Sequence, residues 1–206
     1  MLLYELCERG VLDRLNVFVD SPLARQATAV TLAHLETLDP AVSEFAQALR
    51  RRRLPYRLRF TRTPEESMAI NKIRSGAIVI AASGMCEAGR IRHHLRHNLS
   101  REECSILFTG FQAGGTLGRR LVDGARSVRL FGETVPVRAR IETLGGLSAH
   151  ADQRALLGWL GGFRRPPAQT FVVHGEEATA IEFASTITAT LGWPARAPGA
   201  GESVEC

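Results

Sequence analysis

Two apolar runs, each passing through a glycine turn into a helix, constrain this chain more than anything else in it. Residues 77–82 (AIVIAA) are apolar throughout, as a strand covered on both faces must be. They end in Ser83-Gly84-Met85, and a helical stretch follows from about Ala88 to Asn98. Residues 105–109 (SILFT) repeat the pattern, turning at Gly110 and Gly114-Gly115 before a helix near Leu117 to Val122. Recurrent strand, turn and helix is the grammar of a parallel α/β sheet with right-handed crossovers. The expected fold class is α/β, with 77–82 as its central strand.

The flanking segments fit that frame. Leu2 to Leu6 reads as a helix already in progress, and Asn16 to Asp20 (NVFVD) as a short strand. Ser21-Pro22 supplies an N-cap with proline at the first helical position, opening a helix to about Thr37. A second helix from Pro40 ends in Arg50-Arg51-Arg52-Arg53, four charges that complement the helix dipole; RNA binding is the other reading of that cluster. Tyr56 to Phe60 alternates arginine with apolar residues, like an edge strand. Thr63-Pro64-Glu65-Glu66 is a capping box that opens a helix to about Arg74.

After Gly124 the grammar changes. Ser127 to Phe131 and Val135 to Ile141 read as two strands joined near Gly132-Glu133, with Pro136 at an edge position. The glycine-rich turn Gly145 to Asp152 leads into a helix to about Leu160. Thr170 to Val173 reads as a buried strand, His174-Gly175-Glu176 follow it, and a last helix runs to about Leu191. Pro194 to Cys206 reads as a loose tail.

Composition bounds the function without choosing it. The chain has 206 residues, 45% hydrophobic and 23% charged, the balance of a soluble globular protein. Its formal net charge is +5, and Lys72 is its sole lysine. Arginine forks suit phosphate, so a polyanionic partner fits, as does a genome that favours arginine codons. Cys7, Cys86, Cys104 and Cys206 show no metal-binding spacing and are expected to be reduced thiols of a cytoplasmic protein. No apolar run approaches the roughly 20 residues of a membrane span, so no membrane partner is expected.

Several residues stand where chemistry is done. The turn Ser83-Gly84 presents backbone N–H groups to an anion, with Arg90 and Arg92 adding charge. The turn Gly110-Phe111-Gln112-Ala113-Gly114-Gly115 repeats that arrangement, and two such turns on one sheet edge would hold successive phosphates of a polymer. His93, His94 and His97 read as surface or RNA-contacting residues rather than metal ligands, since no carboxylate sits at a supporting spacing. Asp20 faces either the same cleft or, the preferred reading, the backbone of the Ser21-Pro22 turn. His150 precedes a helix with Asp152 placed to cap it or to orient the imidazole, and a neutral histidine can act as a general acid or base. His174 stands at a strand's carboxyl end with Glu176 behind it, a position suited to a zinc ligand with a supporting carboxylate.

The ordered set SGMCEAGRIRHHL, GFQAGGTLGR, GLSAHAD and VVHGE resembles the β-CASP branch of the metallo-β-lactamase superfamily, over almost the whole chain from VFVDSPLA onward. These are zinc-dependent nucleases, among them bacterial and archaeal RNases and the endonuclease of mRNA 3′-end processing. The resemblance implies a β-CASP domain over residues 1–144, a mainly parallel sheet flanked by helices. Residues 145–206 would be the returning segment of a metallo-β-lactamase αββα domain. It implies that His150 is a general acid and His174 a ligand of one of two zinc ions. RNA would be held by Ser83, Gly84, Arg90, His93, Gln112, Gly115 and Ser148, and Asp152 and Glu176 would support the two histidines. The family's HxHxDH cluster, its further ligands and its motif A acid lie ahead of the β-CASP insertion and are not found in these residues. The chain is therefore expected to be a C-terminal portion, inactive alone, of a ribonuclease. A partial sheet leaves an unpaired edge, which leaves a homodimer or a swapped C-terminal segment open. A non-catalytic RNA- or nucleotide-binding module, or an inactive assembly partner, is the alternative reading.

Overall fold

The computed structural model describes residues 1–13, 15–147 and 150–204. Cys206, expected to be a reduced thiol, and Ser148, expected to contact RNA, lie outside the described residues. The chain falls into two compact units, Met1–Gly146 and Leu147–Cys206.

In the first unit, helix α1 (Leu2–Glu8) precedes strand β1 (Asn16–Asp20), which feeds α2 (Pro22–Ala33). The Ser21 hydroxyl caps α2 by accepting the Ala24 N–H at 3.2 Å. Asp39 caps α3 (Pro40–Arg50) in the same way, accepting from Val42 at 3.0 Å. Strand β2 (Arg57–Phe60) leads to α4 (Pro64–Ile70), where the capping box forms with one displacement. Thr63 accepts the Glu66 N–H at 3.3 Å, while the Glu66 carboxylate reaches the N–H of Arg62, one residue ahead of the cap.

Strand β3 (Ala77–Ala81) completes a parallel sheet of order β2-β1-β3. This corrects one expectation: β1, not the 77–82 strand, is central. An apolar run has the same composition in the middle of a sheet and at a covered end, and only pairing separates the two. Val17 and Phe18 of β1 are buried, whereas Ile80 of β3 is 47% exposed.

The chain continues through α5 (Ile91–Asn98), β4 (Ser105–Phe108), α6 (Leu117–Val122), β5 (Ser127–Leu130), β6 (Glu133–Pro136) and β7 (Arg140–Thr143). β5 and β6 form an antiparallel hairpin, and β4 pairs in parallel with β7. The single strand expected over 135–141 is thus two strands with different partners. Pro136 has no N–H to extend the hairpin. The N–H groups of Arg138 and Ala139 both turn to the Leu99 carbonyl before β7 begins. Leu95, Leu99, Leu121, Leu130 and Val128 form the core between α5, α6 and the hairpin. Burying each leucine contributes roughly 1.5–3 kcal/mol. This core fixes the two helices that carry the glycine turns.

The second unit holds α7 (Gln153–Gly161), β8 (Thr170–Phe171), α8 (Glu177–Leu191) and β9 (Ala195–Arg196). Gly192, at φ 69°, ends α8 in the left-handed conformation that glycine tolerates best. The chain then turns Trp193 into a core with Leu160 and Ile187. Two expectations change here. The strand expected over 170–173 pairs only at Thr170 and Phe171, and Val173 is 66% exposed, because its partner β9 is just as short. The expected loose tail contains that partner, and Arg196 pairs with Glu202 at 2.5 Å. Among the described residues no helix is long and apolar enough to cross a membrane.

Candidate functional site

In the second unit, Asp152 caps α7: its carboxylate accepts the Ala155 N–H at 2.8 Å. Of the two roles open to it, capping is the one the geometry displays. His150, two residues earlier, is exposed. His174 is exposed as well, and its backbone is left-handed at φ 63°, a region that few residues other than glycine adopt. Glu176 stands at the N-cap of α8, and its side chain accepts no capping hydrogen bond there. A groove of about 440 Å³ is lined by Ala151, Val172, Val173, His174 and Phe183. The histidine-bearing loops ahead of α7 and α8 thus border one depression.

A hydrolytic zinc takes at least three protein ligands. Among the described residues no group of three or more His, Cys, Asp or Glu side chains could hold a metal ion. The residues present do not fit a complete zinc centre, and His174 offers a single imidazole.

In the first unit, the 83–90 turn is folded on itself. Ser83 exchanges backbone bonds with Ala88 and Cys86, and its hydroxyl accepts the Ala88 N–H at 3.4 Å. Gly84 is open, with nothing within 4 Å of where a Cβ would stand. Gly89 is not: at φ +76° its Cβ would lie 2.6 Å from the Ala82 carbonyl oxygen, so only glycine fits. Cys86 is buried, and burial together with the Glu87 carboxylate pushes its thiol up to about 11. It remains a protonated, inert thiol at neutral pH.

The 110–118 turn is occupied from within. Gln112 is only 6% exposed, and its amide nitrogen donates to the carbonyls of Gly110 and Phe111 at 3.2 and 3.0 Å. The side chain of Gln112, expected to contact RNA, closes its own turn inside the protein. The amide so fills the space that a Cβ on Gly118 would meet its oxygen at 1.7 Å. Gly115, at φ +79°, is open. The N–H of Leu117 at the start of α6 donates to the Glu87 carboxylate, so an internal anion already takes that position. The two turns are also tied by Gly118 N–H to the Met85 carbonyl at 3.1 Å. They lie after strands of different hydrogen-bonded sheets rather than on one sheet edge.

Arg90 and Asp20 change roles together. Asp20 is completely buried and accepts from Thr61, from Ser67 at 2.6 Å, from Arg90 Nη1 at 2.5 Å and from His94 Nε2 at 2.6 Å. Burial alone would raise its pKa, but the bonds from Ser67, Thr61, Arg90 and His94 outweigh it and hold the carboxyl at about 2. Asp20 therefore does not serve the Ser21-Pro22 backbone. The Arg90 guanidinium, expected to contact RNA, is 18% exposed and bonded through Nη1 to Asp20 and Thr61. His94 is buried rather than at the surface. His93 is exposed and stacks on Phe131, ring centroids 4.6 Å apart. The sequence carries one signal of this cluster: Arg90 and His94 are four residues apart and so share a helix face.

Residues 1–121 match the family model described as a Beta-Casp domain. Residues 134–198 match the one described as a Zn-dependent metallo-hydrolase RNA specificity domain. The chain is 38% identical over 178 residues to Ribonuclease TTHA0252 of Thermus thermophilus, covering 85% of this chain and 40% of that protein. An RNase J-like protein of Methanocaldococcus jannaschii is 30% identical over 192 residues, covering 93% of this chain and 43% of its own length. Transcription termination factor FttA of Pyrococcus abyssi is 34% identical over 127 residues, 59% of this chain and 20% of that protein. The chain thus spans less than half the length of these relatives.

Proposed function

We propose a function from one premise: the chain belongs to the Beta-Casp family. The intact protein is a zinc-dependent hydrolase of RNA phosphodiester bonds, and this chain supplies two of its active-site groups together with part of its RNA-holding surface. Relatives named as a ribonuclease and as RNase J-like support the activity. The observation that carries the assignment within the chain is the shared groove that the His150 and His174 loops border, in the stretch matched to a zinc-dependent metallo-hydrolase domain. Residues 1–144 are the β-CASP part and 145–206 the returning piece of the catalytic domain. The division into compact units after Gly146 supports that boundary.

His174 would be one ligand of a zinc centre, of two ions, whose other ligands are not found among the described residues. Its backbone is left-handed, a glycine follows it, and the residue is exposed. His150 donates a proton to the departing RNA oxygen, with Asp152 fixing the loop through the start of α7. Glu176 supports His174. The exposed backbones of Gly84 and Gly115, the Ser83 turn and His93 contact the RNA, along with Ser148.

The test is made in the intact protein. His174→Ala is expected to lower bound zinc, read by metal analysis, and to abolish cleavage. His150→Ala is expected to keep the zinc and slow cleavage by about 10²–10⁴-fold, the usual worth of a positioned acid. Two variants that both cut RNA at the parental rate would sink the assignment and leave a binding module as the better reading.

A further inference from the structure

We propose that Arg50, Arg51, Arg52, Arg53, Arg57 and Arg59 form a second RNA-backbone surface, along the β2 edge of the first unit. The inference rests on RNA being the substrate. Five arginines of the chain are held by carboxylates: Arg90 by Asp20, Arg96 by Glu133, Arg101 by Glu103, Arg119 by Asp123 and Arg196 by Glu202; the six proposed here are set apart by their clustering within ten residues. Among the described residues none of these six is in an ion pair with a carboxylate, and all six are exposed.

The end of α3 accounts for Arg50 and Arg51 but not for the other four. α3 ends at Arg50, with Arg51 as its C-cap, so Arg52 and Arg53 lie beyond the helix. Arg52 has φ 54°, the left-handed position after a helix where glycine is favoured, and the Arg53 N–H closes back on the Ala48 carbonyl at 2.9 Å. A non-glycine residue there is strained by roughly 1–2 kcal/mol. An arginine in that place adds charge at a cost in stability.

β2 extends the charged surface. Its register with β1, Asn16↔Arg57 and Phe18↔Arg59, puts Arg57 and Arg59 on one face of the sheet. Two residues along a strand are roughly 6.6 Å apart, close to the repeat of an extended polynucleotide backbone. The Arg59 guanidinium is steadied over the Phe18 ring, 5.9 Å from its centroid. Because β2 ends the sheet order, no neighbouring strand among the described residues covers its far side. Exposed guanidinium groups at this spacing suit a polyanion and read no bases.

The rival explanation is that the arginines guard an exposed strand edge against pairing with a second copy of the chain. The two are separated by titrating the full 206-residue chain with labelled single-stranded oligo(U) and oligo(A) across a salt series, with light scattering in parallel. One variant carries Arg50→Gln, Arg51→Gln, Arg52→Gln and Arg53→Gln; a second carries Arg57→Gln alone and keeps the test open should the first not fold. The fourfold variant is expected to lose up to about 3 units of log–log salt slope, at about 0.7 per phosphate contact, and to bind both oligomers roughly tenfold more weakly. Arg57→Gln is expected to lose about 0.7 units. Unchanged slopes in folded variants overturn this surface and leave the RNA reading standing. Parental RNA binding with new dimers assigns the arginines to edge protection and overturns it as well. A parental chain that binds neither oligomer overturns both this surface and RNA recognition by this part of the protein.

Discussion

Asp20 is the residue on which the first unit's carboxyl-end geometry turns. It ties β1, the start of α4 and the first turn of α5 to one buried carboxylate. Asp20→Asn removes the negative charge and leaves Arg90 largely buried without its counter-ion, a change expected to cost about 3–5 kcal/mol in urea unfolding. The pH dependence follows from the direction of the shift. The folded-state pKa, about 2, lies below the ordinary value of 3.8, so the stabilising contribution is fully present above about pH 4. It is lost as pH falls from there towards 2, by on the order of 2 kcal/mol. Denaturation midpoints measured across that window check the sign, and Asp20→Asn should flatten it. At Gly89 the expected outcome is equally definite. Gly89→Ala sets a methyl 2.6 Å from the Ala82 carbonyl oxygen and a side chain at φ +76°, so a loss of more than about 1 kcal/mol is expected by thermal melting.

Elements were legible where a local rule decides them. Ser21 and Thr63 announce their helices because capping is a contact between residues three apart, visible in sequence. Strand partnership is not local, and the sequence leaves it open in identifiable places. Nothing within AIVIAA says that β1 rather than β3 takes the middle of the sheet. Val137 to Ile141 look like a continuation of β6, but β7 joins β4, more than thirty residues earlier. β9 is two residues among glycines and prolines, too short to leave a periodic signal. The candidate site divides along the same line. His150 and His174 stand out by their position at element ends, whereas the burial of Gln112 and the capture of Arg90 by Asp20 depend on contacts across the fold. Packing predicts its own test at the element level. Leu121 of α6 is fully buried in the core that carries the second glycine turn, and Leu121→Ala is expected to cost about 2–5 kcal/mol by urea unfolding.

At the scale of the whole molecule, two compact units with two separate cores share one chain. The family resemblance read from four motifs was the part of the sequence that reached furthest, because it carries the long-range arrangement that periodicity lacks. The two cores also divide the chain's chromophores. Both tyrosines, Tyr4 and Tyr56, belong to the first unit, and both tryptophans, Trp159 and Trp193, to the second. Trp193 is buried against Ile187 and Leu160, so its emission responds to loss of that core. Intrinsic tryptophan fluorescence is therefore a built-in optical probe of the second unit's core, while circular dichroism follows both units at once.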